Sequence, residues 1–439
     1  MSRRDKRVAR RALLKSGAAS LLAAALGACT NRLPGAAAAR ADALPADPGQ
    51  ILDLLPGFSY SVLQQTGDPM SDGYRVPGRP DGMACFAGAD GGVILMRNHE
   101  LWQSHLDSSY FLPDQPRALE AYEEEATGAV TRVVLDPDTG QVRSSNLVLA
   151  GTYWNCAGGT SPWGWLSCEE TVEPAHGYVF LCAPEAEQVQ PAVRIDGYGR
   201  FRHEAAAVDP HTLIAYLSED QLDACFYRFV PDDPELPLVG SLQALRVPSA
   251  PNLDTGLLPP GVRLEVDWVD IADPVPLDDS VRLQAHAQGA ARFRRTEGLW
   301  LTQDEVFLCA TTGGPLGRGQ VLRLGLGDGG MLEVIAEAND LEALDMPDNL
   351  CVSPQGVLYV AEDGFDGNFL RTITPEGRVA AFARNARSQT EFAGPCFSPD
   401  GSTLFVNLQE EGLTLAIRGP FDEEAWTALP GGARRARVA

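Results

Sequence analysis

Seven short polar clusters recur along the chain, each at the end of a β-rich run: Asn98-His99-Glu100, Cys168-Glu169-Glu170, His203-Glu204, Glu219-Asp220, Arg295-Thr296-Glu297, Asp348-Asn349 and Glu362-Asp363. Singly, each has a plain reading. An acidic pair marks a solvated turn, Asp-Gly is a turn signal, and His beside Glu is a common structural hydrogen bond. Together they amount to a store of carboxylates. Carboxylates gathered in a water-poor space repel one another and take up protons unless cations neutralise them. Calcium, a hard cation, accepts roughly six to eight oxygens from Asp, Glu, Asn and carbonyl groups.

The stretch TYWNCAGGTSPWGWLSCEET, residues 152–171, adds a different ligand type. It holds Cys156, three tryptophans, three glycines and the pair Glu169-Glu170. It reads either as the crossing of two tight strands in a rigid core or as the wall of a metal site. A metal-bound thiolate stays deprotonated at neutral pH. Its glycines would let backbone approach a cluster closely, with Trp163 and Trp165 bracing the turn. Other hydrolytic chemistries find little support. There is no G-x-S-x-G nucleophile elbow, and six histidines are few for a His-rich binuclear zinc site.

The formal charge is −24. Residues 1–28 hold seven Arg or Lys and one Asp, so without them it becomes −30. A nucleic-acid ligand would require a basic footprint that this composition lacks. The N-terminal residues read as an export signal. A basic segment ends in Arg10-Arg11-Ala12-Leu13-Leu14-Lys15, close to the twin-arginine pattern, and an apolar run over 17–28 is short for a bilayer span. Leu26-Gly27-Ala28-Cys29 fits a lipoprotein box, which makes Cys29 the expected lipid anchor on a periplasmic or cell-surface protein. Residues 29–50 read as a linker. The eight cysteines after Cys29 show no C-x-x-C pair, so most are expected as buried thiols.

The elements that must position these clusters are strands. GGVILMRN, GYVFLCA, TLIAYLSED, EVFLCATT and STLFVNLQ are short β-rich runs bounded by Gly, Pro, Asp and Ser. Helical candidates are few, RALEAYEEEA and FDEEAWTAL being the better ones. CVSPQGVLYVAEDG from Cys351 and CFSPDGSTLFVNLQEEG from Cys396 repeat at a spacing of 45. Four short strands per period of about 45 describe a propeller blade. The expected fold is all-β, a six-bladed β-propeller with short helical insertions, over residues 51–439 as one domain. Pro- and Asp-rich residues 231–290 read as an insertion, and inner strands of such a ring would bring the polar clusters to one central funnel.

NCAGGTSPWGWLSCEE, GRFRHEAAAVDP, LSEDQLDACFYRF, RFRRTEG, MPDNLCVSPQGVLYVAEDG and GPCFSPDGSTLFVNLQ resemble, in order, the motifs of PhoX-type alkaline phosphatases, from about residue 81 to 421. The resemblance implies an exported six-bladed propeller that hydrolyses small phosphoesters, using an iron–calcium centre (ferric iron with calcium) and a cysteine thiolate on iron. By motif that cysteine is Cys156. Glu169, Glu204, Glu219, Asp220, Glu297, Asp348, Asn349, Glu362 and Asp363 match positions of metal ligands or their neighbours. Arg295 matches the phosphate-contacting arginine, two residues before Glu297, and the two make the implied catalytic pair. Arg294 takes that place if the register slips by one. The twin-arginine machinery is the implied export partner. This chain departs from the family in its compact length and in NLQEEG, where Glu410 and Glu411 stand in place of a histidine and proline. Two rivals stay open: a calcium-dependent lactonase-type propeller hydrolase, and a calcium-stabilised propeller that binds a partner without catalysis.

Overall fold

The computed structural model describes residues 44–421, apart from 89–90, 113 and 328–329. The export signal, Cys29 and most of FDEEAWTAL lie outside the described residues. Six antiparallel sheets make up the fold. Each begins with a strand that touches the first strands of its two neighbours, so that Pro80–Ala87, Gly159–Ser161, His203–Val208, Thr296–Leu301, Pro347–Val352 and Phe392–Phe397 ring a central axis. We number the blades I to VI by these inner strands. The expected six-bladed propeller is the observed fold.

The ring closes with strand from the N-terminal side. Ser59–Gln65 pairs with Leu413–Arg418 as the outermost strand of blade VI, and Leu52–Leu54 pairs with Val379–Asn385 in blade V. The segment before them is tied down too. Asp47 accepts hydrogen bonds from the backbone N–H groups of Gly49, Ile51 and Leu52 and from the Tyr60 hydroxyl. Residues 231–290 supply Gly240–Arg246 and Asp267–Asp270 to blade III, Arg263–Glu265 to blade IV, and the helix Val281–Ala287. RALEAYEEEA forms turns rather than a helix. Arg117 reaches back to the carbonyls of Glu124 and Ala126, which holds the segment as a compact loop. No helix among the described residues is long and apolar enough to cross a membrane.

The blades pack face to face. Second strands are therefore buried on both sides and read as unbroken apolar runs, as in Gly164–Cys168 and Leu358–Glu362. Leu166, Phe201, Leu217 and Tyr227 fill the wedge between blades II and III, while Met83, Leu95, Cys396 and Phe405 fill that between I and VI. Each such side chain contributes about 1.5–3 kcal/mol. The eight cysteines among the described residues are all free thiols, seven of them buried.

Around the axis the inner strands nearly touch, and small residues make this possible. A Cβ placed on Gly82 would lie 2.0 Å from the Ala157 carbonyl oxygen, and one on Gly298 would lie 2.6 Å from Asn349 Cα. Gly82→Ala is expected to destabilise the fold by about 2 kcal/mol or more through overpacking, read as a fall in the urea midpoint. An unchanged midpoint would mean that the inner strands can part at no cost.

Candidate metal centre

Every blade carries a break in pairing at the same place. In blades I, III, IV and V the register shifts just after Pro80, His203, Thr296 and Pro347. Blade II has the bridge Asn155–Glu169 outside its strands, followed by Gly159 opposite Leu166. A bulge re-aims the residue that follows it. In chain order those residues are Asp81, Cys156, Glu204, Glu297 and Asp348. Blade VI departs from the series, with Gly394 after its break, and provides Glu391 just ahead of its inner strand.

A second tier comes from the residue just beyond each second strand, one step further on in blade II. The carbonyls of Arg79, Trp154, Arg202, Arg295, Met346 and Glu391 accept the backbone N–H groups of Glu100, Glu170, Asp220, Thr311, Asp363 and Gln409 respectively. Four of these acceptors have left-handed backbones, Arg79, Trp154, Arg295 and Met346, with φ between 44° and 56°. That conformation is strained for bulky residues, at about 1–3 kcal/mol each, and here it recurs two residues before Asp81, Cys156, Glu297 and Asp348.

The two tiers converge. Ligand atoms of Glu100, Cys156 and Glu170 all lie within 4.8 Å of one another, as do those of Glu204, Glu297 and Asp348, and those of Asp348, Asp363 and Glu391. Asp348 joins the last two groups. Cys156 Sγ stands 3.8 Å from Glu170 Oε2. Trp165 braces this wall from behind: its indole N–H donates to Asn98 Oδ1, and the Asn98 amide donates to the carbonyls of Cys156 and Ala157.

Three residues matched by motif have other partners. Glu169, Glu219 and Glu362 occupy one position in blades II, III and V, the last residue of the second strand or its neighbour, pointing into the blade. Glu169 accepts from the N–H groups of Tyr153, Gly177 and Tyr178 and meets His176. Glu219 accepts from the Cys225 N–H and the Tyr227 hydroxyl. Glu362 accepts from the N–H groups of Asp345 and Phe369 and from Arg371. Successive strand side chains point to opposite sides, so in each acidic pair the second member, Glu170, Asp220 or Asp363, faces the axis. Asn349 is occupied as well, donating to Asp348 Oδ1 and accepting from the Gly394 N–H. Glu100, Glu170 and Glu391 join the centre without having been chosen as ligands from the sequence. Asp81 lies buried beside them, its Oδ2 accepting from Gln409 and its Oδ1 unpartnered.

Arg295 forks onto Asp220 with two bonds of 2.8 Å and pairs with Glu297. Arg294 is held by Asp254, away from this group. Arg79 pairs with Glu100 and Glu410, and Glu411 accepts from Thr390.

These cations do not balance the carboxylates. Burial, then Asp220 and Glu100, pushes Glu170 up to about 8, and burial and Glu100 push Asp81 up to about 7. Glu204, Asp348 and Glu391 rise well above the carboxylate range, first from burial and then from one another's neighbours. Burial, Glu204, Glu100 and Glu170 likewise hold the Cys156 thiol protonated. Oxygen donors that resist ionisation because they are buried beside one another without enough positive charge, with an orphaned carboxylate oxygen among them, fit bound cations. The oxygen-only groups suit a hard ion, and the thiolate-bearing group suits a transition metal.

Residues 39–412 match the family model described as alkaline phosphatase PhoX. The chain belongs to the PhoX family. PhoX enzymes are exported, metal-dependent phosphoric monoester hydrolases, and this chain is a metal-dependent phosphatase of that family. Among solved structures, Pseudomonas fluorescens PhoX in complex with vanadate, a transition-state analogue, is 18% identical, with a TM-score of 0.67 over 84% of this chain and 96% of that one. A gluconolactonase from Xanthomonas campestris is 13% identical, with a TM-score of 0.44 over 86% and 98%. No curated protein matches.

Glu170 and Asp81 titrate above their ordinary values when folded, so the metal-free protein must hold buried protons that the unfolded chain releases. Its stability is present below about pH 4.5 and is lost as pH rises towards 8. In chelator, the melting temperature is expected to fall across that window. Calcium should restore it more at about pH 8 than at about pH 5. A flat profile in chelator would contradict this account.

Proposed function

We propose that the two tiers hold an iron–calcium centre and that the enzyme uses it to hydrolyse small phosphomonoesters outside the cytoplasm. Cys156, Glu100 and Glu170 would hold iron, because theirs is the group with a thiolate. Glu204, Glu297, Asp348, Asp363 and Glu391 would hold calcium through oxygen alone. Bound cations supply positive charge for the phosphoryl oxygens and the leaving oxygen.

The protein's own part is orientation. Asp220 and Glu297 fix the Arg295 guanidinium from two sides, which leaves Nη1 for a phosphoryl oxygen. A planar donor held in place meets charge that grows at transfer without having to reorganise. Glu297 has two parts to play, since it anchors Arg295 and belongs to the Glu204 and Asp348 group. In this reading residues 1–28 are a twin-arginine export signal, Cys29 carries a lipid anchor, and residues 51–439 form the catalytic domain. Export in the folded state would let the centre assemble before transport. Convergence of Cys156 with Glu100 and Glu170 is the observation that carries the reading.

Hydrolysis of p-nitrophenyl phosphate by the mature protein, with iron and calcium counted on each sample, tests it. Cys156→Ala is expected to lose iron, and Arg295→Ala to keep its metals while kcat/KM falls by about a hundred-fold or more. Calcium without iron, together with a Cys156→Ala variant equal to wild type, would leave Cys156 as core packing. Glu169→Gln should lower thermal stability with metal content unchanged, whereas Glu170→Gln should lower metal content. The reverse result would exchange their roles.

A further inference from the structure

Beside the Glu100, Cys156 and Glu170 group lies a cavity of about 200 Å³ lined by Glu170, Arg202, Asp220, Gln221, Leu222 and Arg295. It is bordered by two arginines from neighbouring blades. Arg202 stands in blade III where Arg295 stands in blade IV and Arg79 in blade I. Each lies two residues before an axis-facing acid, and each carbonyl accepts the N–H of a second-tier residue.

The three guanidiniums differ in what they already hold. Arg79 is taken by Glu100, Glu391 and Glu410. Arg295 is taken by Asp220 and Glu297. Arg202 has one loose ion pair, Nη1 to Glu170 Oε1 at 3.8 Å, and its Nε is buried with no hydrogen-bond partner. A buried donor left unmade is costly, and more so on a charged group. Glu170 is also claimed from its other side, where Cys156 and Glu100 lie within ligand distance. A cation bound there would draw on the one carboxylate that Arg202 meets.

We propose that Arg202 is the second phosphate-binding arginine of this site, taking a tetrahedral oxyanion across the cavity from Arg295. The assignment rests on the phosphatase reading above. Arg295 is a fixed donor, held by two acids with little to spare. Arg202 is the uncommitted one, a planar fork whose donors match two oxygens of a phosphate. Its one loose carboxylate, Glu170, is also a candidate cation ligand, so a bound cation would leave Arg202 freer to take the phosphate.

Inorganic phosphate, and orthovanadate as a second probe, are titrated into metal-loaded wild type, Arg202→Gln and Arg202→Lys. Affinity is read by calorimetry and by inhibition of p-nitrophenyl phosphate hydrolysis, with iron, calcium and melting temperature measured on each. Arg202→Gln is expected to weaken phosphate binding about ten- to hundred-fold, as loss of a charge-assisted hydrogen bond would, and to raise KM more than it lowers kcat. Metal content and melting temperature should hold, and Arg202→Lys should recover part of the loss. Phosphate affinity within about two-fold of wild type in Arg202→Gln would overturn the assignment. So would a loss of metal that matches the loss of affinity, since Arg202 would then be a support for Glu170. A metal-loaded wild type that neither binds phosphate nor hydrolyses a phosphomonoester would instead remove the phosphatase reading, and this inference with it.

Discussion

Asp81, Cys156, Glu204, Glu297 and Asp348 come from five different blades and meet on one axis, so the ring must hold like charges together against their own repulsion. Much of the architecture answers that demand. Bulges set the five side chains at one level, small residues let the strands that bear them close up, and rim carbonyls fix the N–H of each second-tier residue. Packing between the blades supplies the force. None of this relieves the repulsion, which burial strengthens, and so the protein without cations keeps protons where it should keep charge. The site is shaped for ions before any ion arrives.

The arginines show how the fold separates support from function. Arg79 and Arg295 stand at equivalent points of the ring and are each gripped by acids, so their position is settled by neighbours. Arg371, buried with Glu362, does the same work inside a blade. A guanidinium gripped by buried acids is held as scaffolding; one with a single loose ion pair is open to a ligand. On that measure the rim grades from Arg79, which closes the gap between blades I and VI, through Arg295 to Arg202.

Much of this was legible from residues alone. Short apolar runs with a period near 45 gave the propeller, because second strands buried on both faces leave unbroken hydrophobic segments. Polar clusters at run ends marked the funnel. What a linear reading could not resolve was the facing of adjacent acids. Glu169 and Glu170 differ by one step of a strand, and that step decides whether a carboxylate caps backbone within a blade or faces the axis. The bulges hid the register that would have decided it. Asp81, in Arg79-Pro80-Asp81-Gly82, looks like a turn. Glu391, in Thr390-Glu391-Phe392, has no acidic neighbour to flag it, and only the break of pattern in blade VI explains why it is needed. The helical reading of RALEAYEEEA failed for a related reason: Arg117 donates to carbonyls of the segment's own loop and Glu123 meets His176, so these charges do not lie along a helix face.

Closure by Ser59–Gln65 against Leu413–Arg418 bears on how the molecule comes into being. Neither Leu52–Leu54 nor Ser59–Gln65 can find its partner until more than three hundred further residues have been made. Blade I likewise must wait for blade VI before Gln409 can reach Asp81. Contacts this distant in sequence form slowly, and until they form the seam is open and the set of acids incomplete. The full set of acids therefore comes together only at the end of synthesis. A chain truncated anywhere before its last blade loses more than a sixth of its structure, because it cannot close the ring on which the centre depends.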